Sequence, residues 1–447
     1  MNARLVSLPV LAVLLAAPPA ARAQAVLNLT LEDAIARGAA RAPRLADADA
    51  RQAAAEATVE SRAAAERPSL TALSSVLRTN HVDEFGLPQA NGTTRVIFPD
   101  IPNNYRVRAE LGLPLYTGGR VDALVTSARA DVTAAAADRR SVAADVALDV
   151  ATAYWTLVTS RDRIRVLERS LERADAALSD ARARVDSGLA APNEVLSTQA
   201  QRARQNVQLI QARNDAALAE AQLARLVGAQ PGEAIAASTP VDRPTPAAVS
   251  LEAKSLGDLT SQAAAARPER AALLARQASL FAAATAAGAT TRPQVAAVAA
   301  VEPARPNQRF VPRVDEWNTS WDLGINVTWS LWDGGRSRAD RAAASAQARA
   351  VGARMQEFDE GVSVETRQRV LDLASTRAAI VASAEAVAAA AEARRVVAER
   401  FSVGVATSTE MLDSDVLLLE AELEQTRLQA ALRVGEARLL RTVGAQP

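Results

Sequence analysis

The chain has 447 residues, and its 51 lysine and arginine residues balance 51 aspartate and glutamate residues, with no basic block of the kind that tracks nucleic acid phosphates. It contains no cysteine and a single histidine, His81. Disulfides are therefore excluded, and zinc sites or histidine-based catalysis have almost no residues to use. The sequence also has no catalytic triad pattern and no glycine-rich phosphate loop, so we predict a protein that is not an enzyme and needs no cofactor or metal.

The first residues have the pattern of a secretory signal. Arg4 is followed by an apolar run over residues 5–17 and then by Ala21-Arg22-Ala23, which fits a small-residue cleavage site. We interpret residues 1–23 as a signal peptide, and the absence of cysteine predicts no lipid on an N-terminal cysteine. No later stretch has ~18 consecutive apolar residues, so membrane insertion is expected through β-barrel strands.

The remaining sequence is an internal repeat of two copies. At a constant offset of 216 residues, Gly118-Gly119-Arg120 recurs as Gly334-Gly335-Arg336. The copies also end alike, because residues 227–231 and 443–447 both read Val-Gly-Ala-Gln-Pro. A fixed offset over this length predicts two copies of one structural unit.

The offset between the two copies changes once along their length. Near the start of the copies it is 225, as between Pro68 and Pro293, so the first copy has a longer loop between Pro68 and Gly118. A proline-rich segment separates the copies and is interpreted as a linker. The predicted boundaries are 24–231 for the first copy, 232–255 for the linker and 256–447 for the second copy.

The second half of each copy is predicted to be a helical hairpin, at residues 118–227 and 334–443. Neither glycine nor proline occurs from Arg120 to Ser187, so a helix of ~100 Å is possible at ~1.5 Å rise per residue. Apolar residues in alternating steps of three and four predict a coiled-coil seam on both arms. The outgoing seam is Ile164, Leu167, Leu171, Ala174, Leu178, Ala181 and Val185, and the return seam is Leu196, Ala200, Ala203, Val207 and Ile210.

Alternating apolar and polar residues predict four strands, at about 69–79, 104–116, 293–302 and 317–332. Tryptophans near the strand ends are typical of the membrane interface. Arg106, Arg108 and Glu110 share the polar face and are expected to line the lumen of a barrel. A soluble β-sandwich is the alternative, but it would need a second apolar layer that no further strands supply.

Four strands per chain cannot close a barrel, since outer membrane barrels start at about eight strands. An open sheet in lipid leaves backbone N–H and C=O groups unsatisfied at both edges, so copies of the chain are expected to assemble. Closure is possible with about eight strands in a dimer or about twelve in a trimer, and only the larger barrel leaves room for water.

Motifs at two places identify a resemblance. Leu113-Pro-Leu-Tyr-Thr-Gly-Gly-Arg120 and Ser330-Leu-Trp-Asp-Gly-Gly-Arg336 mark the change from strand to helix, and both hairpin tips place an acid six residues after a glycine. Over essentially the whole mature chain, the sequence resembles the TolC-like outer membrane efflux proteins. The resemblance implies a mainly α fold, in which long coiled-coil hairpins form an α-barrel and four strands per chain contribute to a trimeric β-barrel of about twelve strands.

The resemblance also implies a function and partners. It describes a homotrimer in outer membrane lipid that extends into the periplasm and acts as the exit duct of a tripartite efflux or type I secretion system. A periplasmic adaptor and an inner-membrane pump would be its partners, with no nucleic acid. A structural coiled-coil protein would not need tryptophan-flanked strands, and an ordinary porin would not need ~100 Å hairpins. The exported compound and the class of pump stay open.

The implied adaptor-docking residues lie at the two hairpin tips. The family pattern there is an arginine, a glycine, a serine or threonine, and then an acidic residue, and the first tip departs from it at Ala191. The implied docking residues are Arg184, Gly188, Glu194, Leu196, Arg400, Gly404, Thr407, Glu410 and Leu412. Both glycines are expected to adopt positive φ, as a tight turn between helices requires.

A periplasmic gate is implied at Glu410 and Asp413, which share a helix face and would bring six carboxylates to the axis of a trimer. The alternative is that acids in a first helical turn merely favour the helix dipole. Some relatives tie their tips together through a tyrosine and an arginine, where this chain has Phe401 and Ala406. We therefore expect a closed state that is held more weakly, by packing and adaptor contacts.

Overall fold

The structure, a computed structural model, describes residues 26–230, 233–241 and 245–445. The predicted signal peptide at 1–23 lies outside these residues. The first copy contains β1 (Val26–Leu29), α1 (Leu31–Arg41), α2 (Pro43–Ala63), β2 (Ser69–Arg78), β3 (Phe85–Pro88), β4 (Thr94–Phe98), β5 (Asn103–Tyr116), α3 (Arg120–Asp186) and α4 (Pro192–Val227). The chain continues with β6 (Ala234–Ala237), α5 (Pro246–Glu252), α6 (Leu256–Ala266), α7 (Pro268–Gly288), β7 (Gln294–Arg305), β8 (Asn318–Thr328), α8 (Arg336–Ser402) and α9 (Ser408–Thr442).

Helix starts follow the local sequence. Pro43, Pro192 and Pro268 occupy the first turns of α2, α4 and α7, where a proline loses no helical hydrogen bond. The long helices α3 and α8 have 67 residues each, which corresponds to ~100 Å at ~1.5 Å per residue. The predicted long helices and hairpins are therefore present in both copies.

A four-stranded sheet lies at one end of the chain. Its order is β2-β5-β7-β8, and every neighbouring pair is antiparallel. One face is apolar and open to the surroundings, as shown by Leu70 at 76% exposure and Leu323 at 74%. The two outer strands, β2 and β8, have no neighbour in the described chain on their free edges.

The predicted strand 317–332 is longer than β8, which begins after Trp317 and ends before Trp329. The chain leaves the sheet because the Asp333 carboxylate accepts hydrogen bonds from the backbone N–H groups of Gly335 and Ser337, at 2.9 and 2.8 Å, and so starts α8. Trp329 instead donates its indole N–H to the backbone oxygen of Thr291 at 3.0 Å.

The longer loop predicted between Pro68 and Gly118 is the connection from β2 to β5. It carries the hairpin β3–β4, which the strand pattern did not predict. The corresponding connection between β7 and β8 has no strand. Both connections lie at the end of the sheet away from the long helices.

The segment interpreted as a linker is structured. Strand β6 pairs in parallel with β1 at the start of the chain, and α5 follows it. The buried Tyr154 joins the two strands, because its hydroxyl donates to the Leu29 oxygen at 3.0 Å and accepts from the Thr239 N–H at 2.9 Å. Residues 231–232 and 242–244 of this region lie outside the described residues.

The helices form one layer that follows the order of the strands. Near the sheet, α2 packs on α3, α3 on α7 and α7 on α8. Towards the tips, α4 packs on α3, α3 on α9 and α9 on α8. Helices α4 and α8 are therefore the two edges of the layer in the tip half.

The two predicted seams have different outcomes. On α3, Leu167, Ala174, Leu178 and Ala181 are buried, so the outgoing seam is confirmed. The predicted return seam on α4 is wrong, because all of its residues are exposed: Leu196, Ala200, Ala203, Val207 and Ile210. The residues that pack α4 into the chain are Thr198, Gln205, Leu209, Ala212, Ala216, Ala219 and Leu223. These buried residues also recur in coiled-coil steps, on the opposite side of the helix.

Two long helices contain a window that could cross a membrane by length and composition alone. In α3 and α8, the best 18-residue window has a mean hydropathy of 1.2 and 1.3, with at most two charged residues. Both helices are alanine-rich and belong to the hairpins. Alanine residues that pack helices together raise the mean hydropathy of a window as much as residues that face lipid. The two windows therefore do not by themselves indicate a membrane span.

Candidate functional site

The two hairpin tips have the same backbone geometry. The N–H of Leu189 donates to the oxygen of Arg184, and the N–H of Val405 donates to that of Arg400, both at 2.8 Å. Gly188 (φ +73°) and Gly404 have the expected positive φ, and a Cβ would meet no atom within 4 Å at either position. Backbone conformation, rather than lack of space, explains the glycine at both turns.

Arg184 connects the two tips of the chain. Its Nη2 donates to the backbone oxygen of Phe401 at 2.9 Å, and its guanidinium carbon lies 4.0 Å from the centre of the Phe401 ring. A cation over an aromatic face is worth about 0.5–1 kcal/mol at an exposed site. The Phe401 side chain cannot donate a hydrogen bond, but the backbone oxygen of Phe401 accepts one from Arg184. This arginine contact therefore joins the two tips in addition to packing.

Arg400 occupies the position of Arg184 in the second copy and behaves differently. Its side chain is exposed, and within the described part of the chain it makes no hydrogen bond or ion pair. Its backbone oxygen accepts from Val405 and Ala406. The repeated arginine thus serves a contact between hairpins in one copy and faces the surroundings in the other.

The starts of the two return helices also differ. In the second tip, Thr407 Oγ1 accepts from the N–H of Glu410 at 3.2 Å, and Glu410 Oε2 accepts from the N–H of Thr407 at 2.8 Å. This reciprocal pair is a capping box. In the first tip Ala191 is the N-cap and provides no side-chain oxygen, so Glu194 has no such partner.

The remaining tip residues are only partly brought together. Leu196 is 66% exposed, whereas Leu412 is half-buried. Asp413 lies one turn after Glu410, is exposed, and makes no ion pair among the described residues. Of the two predicted gate acids, Glu410 is engaged in the cap and Asp413 is unengaged.

The polar face of the sheet is organised by Arg108. Its guanidinium contacts Glu110 at 3.1 Å on its own strand, Glu302 at 3.2 Å on β7 and Asp322 at 3.1 Å on β8. Arg106 lies on the same face and is exposed. One arginine therefore crosses three strands, and the three residues predicted to share this face do share it.

Glu302 and Asp322 were not predicted as site residues. Asp322 is at a polar position of an alternating strand, but only the register of three adjacent strands places both acids beside Arg108. Within residues 26–230, 233–241 and 245–445, no group of histidine, cysteine, aspartate and glutamate side chains is arranged to hold a metal ion.

Comparison with known proteins gives both sequence and structural matches. A family model described as outer membrane efflux protein matches residues 34–229 and 259–445, one segment in each copy of the repeat. No curated protein matches.

Several solved structures have the same fold. The outer-membrane channel OprN has a TM-score of 0.75 and 21% identity, over 93% of this chain and 91% of its own. VceC from Vibrio cholerae has a TM-score of 0.75 and 18% identity, over 93% of this chain and 96% of its own. CmeC from Campylobacter jejuni has a TM-score of 0.75 and 13% identity, over 93% of this chain and 85% of its own. These matches confirm the predicted fold class.

Proposed function

Because this chain belongs to the outer membrane efflux protein family, as the resemblance predicted, we propose that it is the exit duct of a tripartite efflux or type I secretion system. The family and the fold are those of channel proteins rather than enzymes. In this proposal a homotrimer spans the outer membrane and reaches through the periplasm to an adaptor and an inner-membrane pump.

The open sheet is the observation that carries the proposal. Its apolar face suits lipid, its polar face suits water, and β2 and β8 have no strand partner on their outer edges within the described residues. Three copies would supply about twelve strands and remove every edge, and the polar face around Arg108 would then line the lumen. The helix layer repeats the strand order, so the same ring would continue as a helical barrel.

The hairpin tips support a docking role. They are far from the sheet, yet both copies keep the same glycine turn, and each return helix begins with an acid. Asp413 suits a gate better than Glu410, because the Glu410 carboxylate already accepts a backbone N–H. Three unengaged Asp413 carboxylates near one axis would attract cations.

Conductance in planar bilayers tests the channel itself. Purified full-length protein is expected to form trimers by native mass spectrometry and to conduct ions. Conductance from monomers, or a protein that forms no trimers, would contradict the proposed duct.

Transport tests docking. Gly404→Leu is expected to abolish pump-dependent export from cells while trimer yield stays unchanged, because leucine strains a turn at φ +79°. Gly361→Leu is the matched control, since Gly361 is exposed on a helix with no atom within 4 Å of a Cβ, and it is expected to leave export intact. Export that survives Gly404→Leu and Gly188→Leu together would contradict docking at the tips.

A further inference from the structure

Helix α4 carries two coiled-coil seams. The buried seam packs on α3, and the exposed one holds the residues first predicted to do so. Its large members are strongly exposed, with Leu196 at 66% and Ile210 at 58%. At about 100° per residue, the exposed seam is about half a turn around the helix from the buried residues Gln205, Ala212 and Leu223. An apolar stripe in this position needs a partner outside the chain.

Helix α8, at the other edge of the layer, has a matching stripe. Its exposed apolar residues recur in steps of three, four and seven, again on the side away from the residues that are buried in the chain, such as Val362, Leu373 and Ser383. They are Val364, Leu371, Ala374, Ala378, Val381 and Ala388. Polar residues interrupt the stripe twice: Arg367 and Gln368 lie between Val364 and Leu371, and Glu385 lies between Val381 and Ala388.

The two stripes overlap in height. The Arg184–Phe401 contact places the tips level, so distance along each helix can be counted from Gly188 and from Gly404. Beyond Ile210 the exposed α4 stripe continues at Ala217 and Ala221, with the polar Asn214 between them and Ile210. Leu371 is as far from Gly404 as Ala221 is from Gly188, and Ala388 and Ala203 are also at nearly equal distances from their tips. Rotation about a symmetry axis preserves height, so the α4 stripe from Ala203 to Ala221 in one copy lies level with the α8 stripe from Ala388 to Leu371 in the next.

Charges at the stripes are complementary. Arg204 beside the α4 stripe and Glu385 on the α8 stripe are both exposed, and neither has a hydrogen-bonding or ionic partner within the described part of the chain. Counted from the tips, they differ by three residues, which is ~4.5 Å along the axis and within reach of an arginine side chain. Glu385 interrupts an apolar stripe, so a cation from outside the chain explains its position.

We propose that α4 of one copy and α8 of the next form an antiparallel coiled coil in which Arg204 pairs with Glu385. The inference rests on the proposed trimer and adds the residues that join its helical part. The stripe predicted as an intrachain seam is thus a seam between copies, and the charged pair fixes its register, as flanking charges do in other coiled coils.

Disulfide cross-linking tests the contact, because the chain has no cysteine of its own. Ala203→Cys and Ala388→Cys are introduced together into the full-length protein, since both alanines are exposed and lie at nearly the same distance from the tips. Mild oxidation in membranes is expected to give covalent dimers and trimers on a non-reducing gel.

The matched control combines Ala203→Cys with Ala386→Cys. Ala386 is also exposed, but it lies two residues from Ala388 and therefore about 200° around the helix. We expect no covalent trimer from this pair. Arg204→Glu in the linking pair should reduce the yield, and adding Glu385→Arg should restore it.

The outcomes separate the inference from the proposed assembly. If native mass spectrometry shows trimers but the Ala203/Ala388 pair does not link, or the control pair links equally, the stripe contacts another protein and the inference is wrong. If no trimer forms at all, the proposed assembly is wrong and this contact fails with it.

Discussion

Arg441 near the end of α9 joins three helices, and its replacement by glutamine is a sharp test of what stabilises the layer. Its guanidinium donates to Asp145 on α3 at 2.8 Å and to Glu269 on α7 at 2.5 Å. The side chain is 8% exposed. Removing one partner of a buried ion pair costs about 3–5 kcal/mol when the charge left behind is uncompensated, but Glu269 keeps Arg267 at 3.3 Å.

The lowered pKa of Glu269 gives a second value for the free energy of unfolding that depends on this ion pair. Burial raises this pKa, but the Arg441 hydrogen bond, a backbone hydrogen bond and the charges of Arg267 and Arg441 outweigh burial and lower it from 4.5 to about 2. At about 1.4 kcal/mol per pKa unit, the difference corresponds to about 3 kcal/mol of stability. Arg267 and the backbone hydrogen bond supply part of this lowering and remain in the variant, so the expected loss for Arg441→Gln is at most about 3 kcal/mol.

The loss should depend on pH in a defined direction. A carboxyl whose pKa is lowered by folding contributes fully above its unfolded pKa, and the contribution disappears as pH falls from about 4.5 to about 2. The stability difference between wild type and Arg441→Gln should therefore be greatest near neutral pH and shrink below about pH 4.5.

Denaturant unfolding of the detergent-solubilised protein, followed by circular dichroism, measures this difference. Arg225→Gln is the control, because Arg225 occupies the equivalent position of the first copy but is exposed, and surface changes usually stay within about 0.5 kcal/mol. If Arg441→Gln is as stable as Arg225→Gln at neutral pH, or if its deficit grows as pH falls, the reasoning is refuted.

Three further predictions concern the sheet and the tips. Cysteines at Arg108 and Leu111 should react oppositely with membrane-impermeant thiol reagents, because the side chains lie on opposite faces of β5, and equal labelling would contradict the strand register. Thr407→Ala should cost about 1 kcal/mol and speed amide exchange in the first turn of α9, since the capping box is lost; unchanged exchange would argue against the cap. Asp413→Asn should lower cation selectivity in single-channel recordings more than Glu410→Gln, and equal effects would contradict the separate roles assigned to these acids.

Local pattern predicted much of the fold because its causes are local. The absence of glycine and proline after Arg120 predicts a long helix, and the alternation from Tyr105 to Leu115 predicts a strand. The glycine turns at Gly188 and Gly404 followed from the short connection between helices. These features depend on residues that are close together in the chain.

The errors arose where distant residues meet. Helix α4 has two apolar seams of the same period, and periodicity cannot tell which one faces the same chain. The pairing of β1 with β6 joins segments about two hundred residues apart, and neither strand is long enough to give a pattern. The Arg184–Phe401 contact likewise depends on the packing of two hairpins, and no spacing in the sequence indicates it.

Because the sheet has an even number of strands, strand pairing between copies does not determine the number of subunits. Strand β2 runs away from the helices and β8 runs back towards them, so β8 of one copy meets β2 of the next in antiparallel orientation whatever the number of copies. The direction of the strands is therefore compatible with two, three or four copies. The stoichiometry must be decided elsewhere, by the angle at which α4 and α8 pack across the joint.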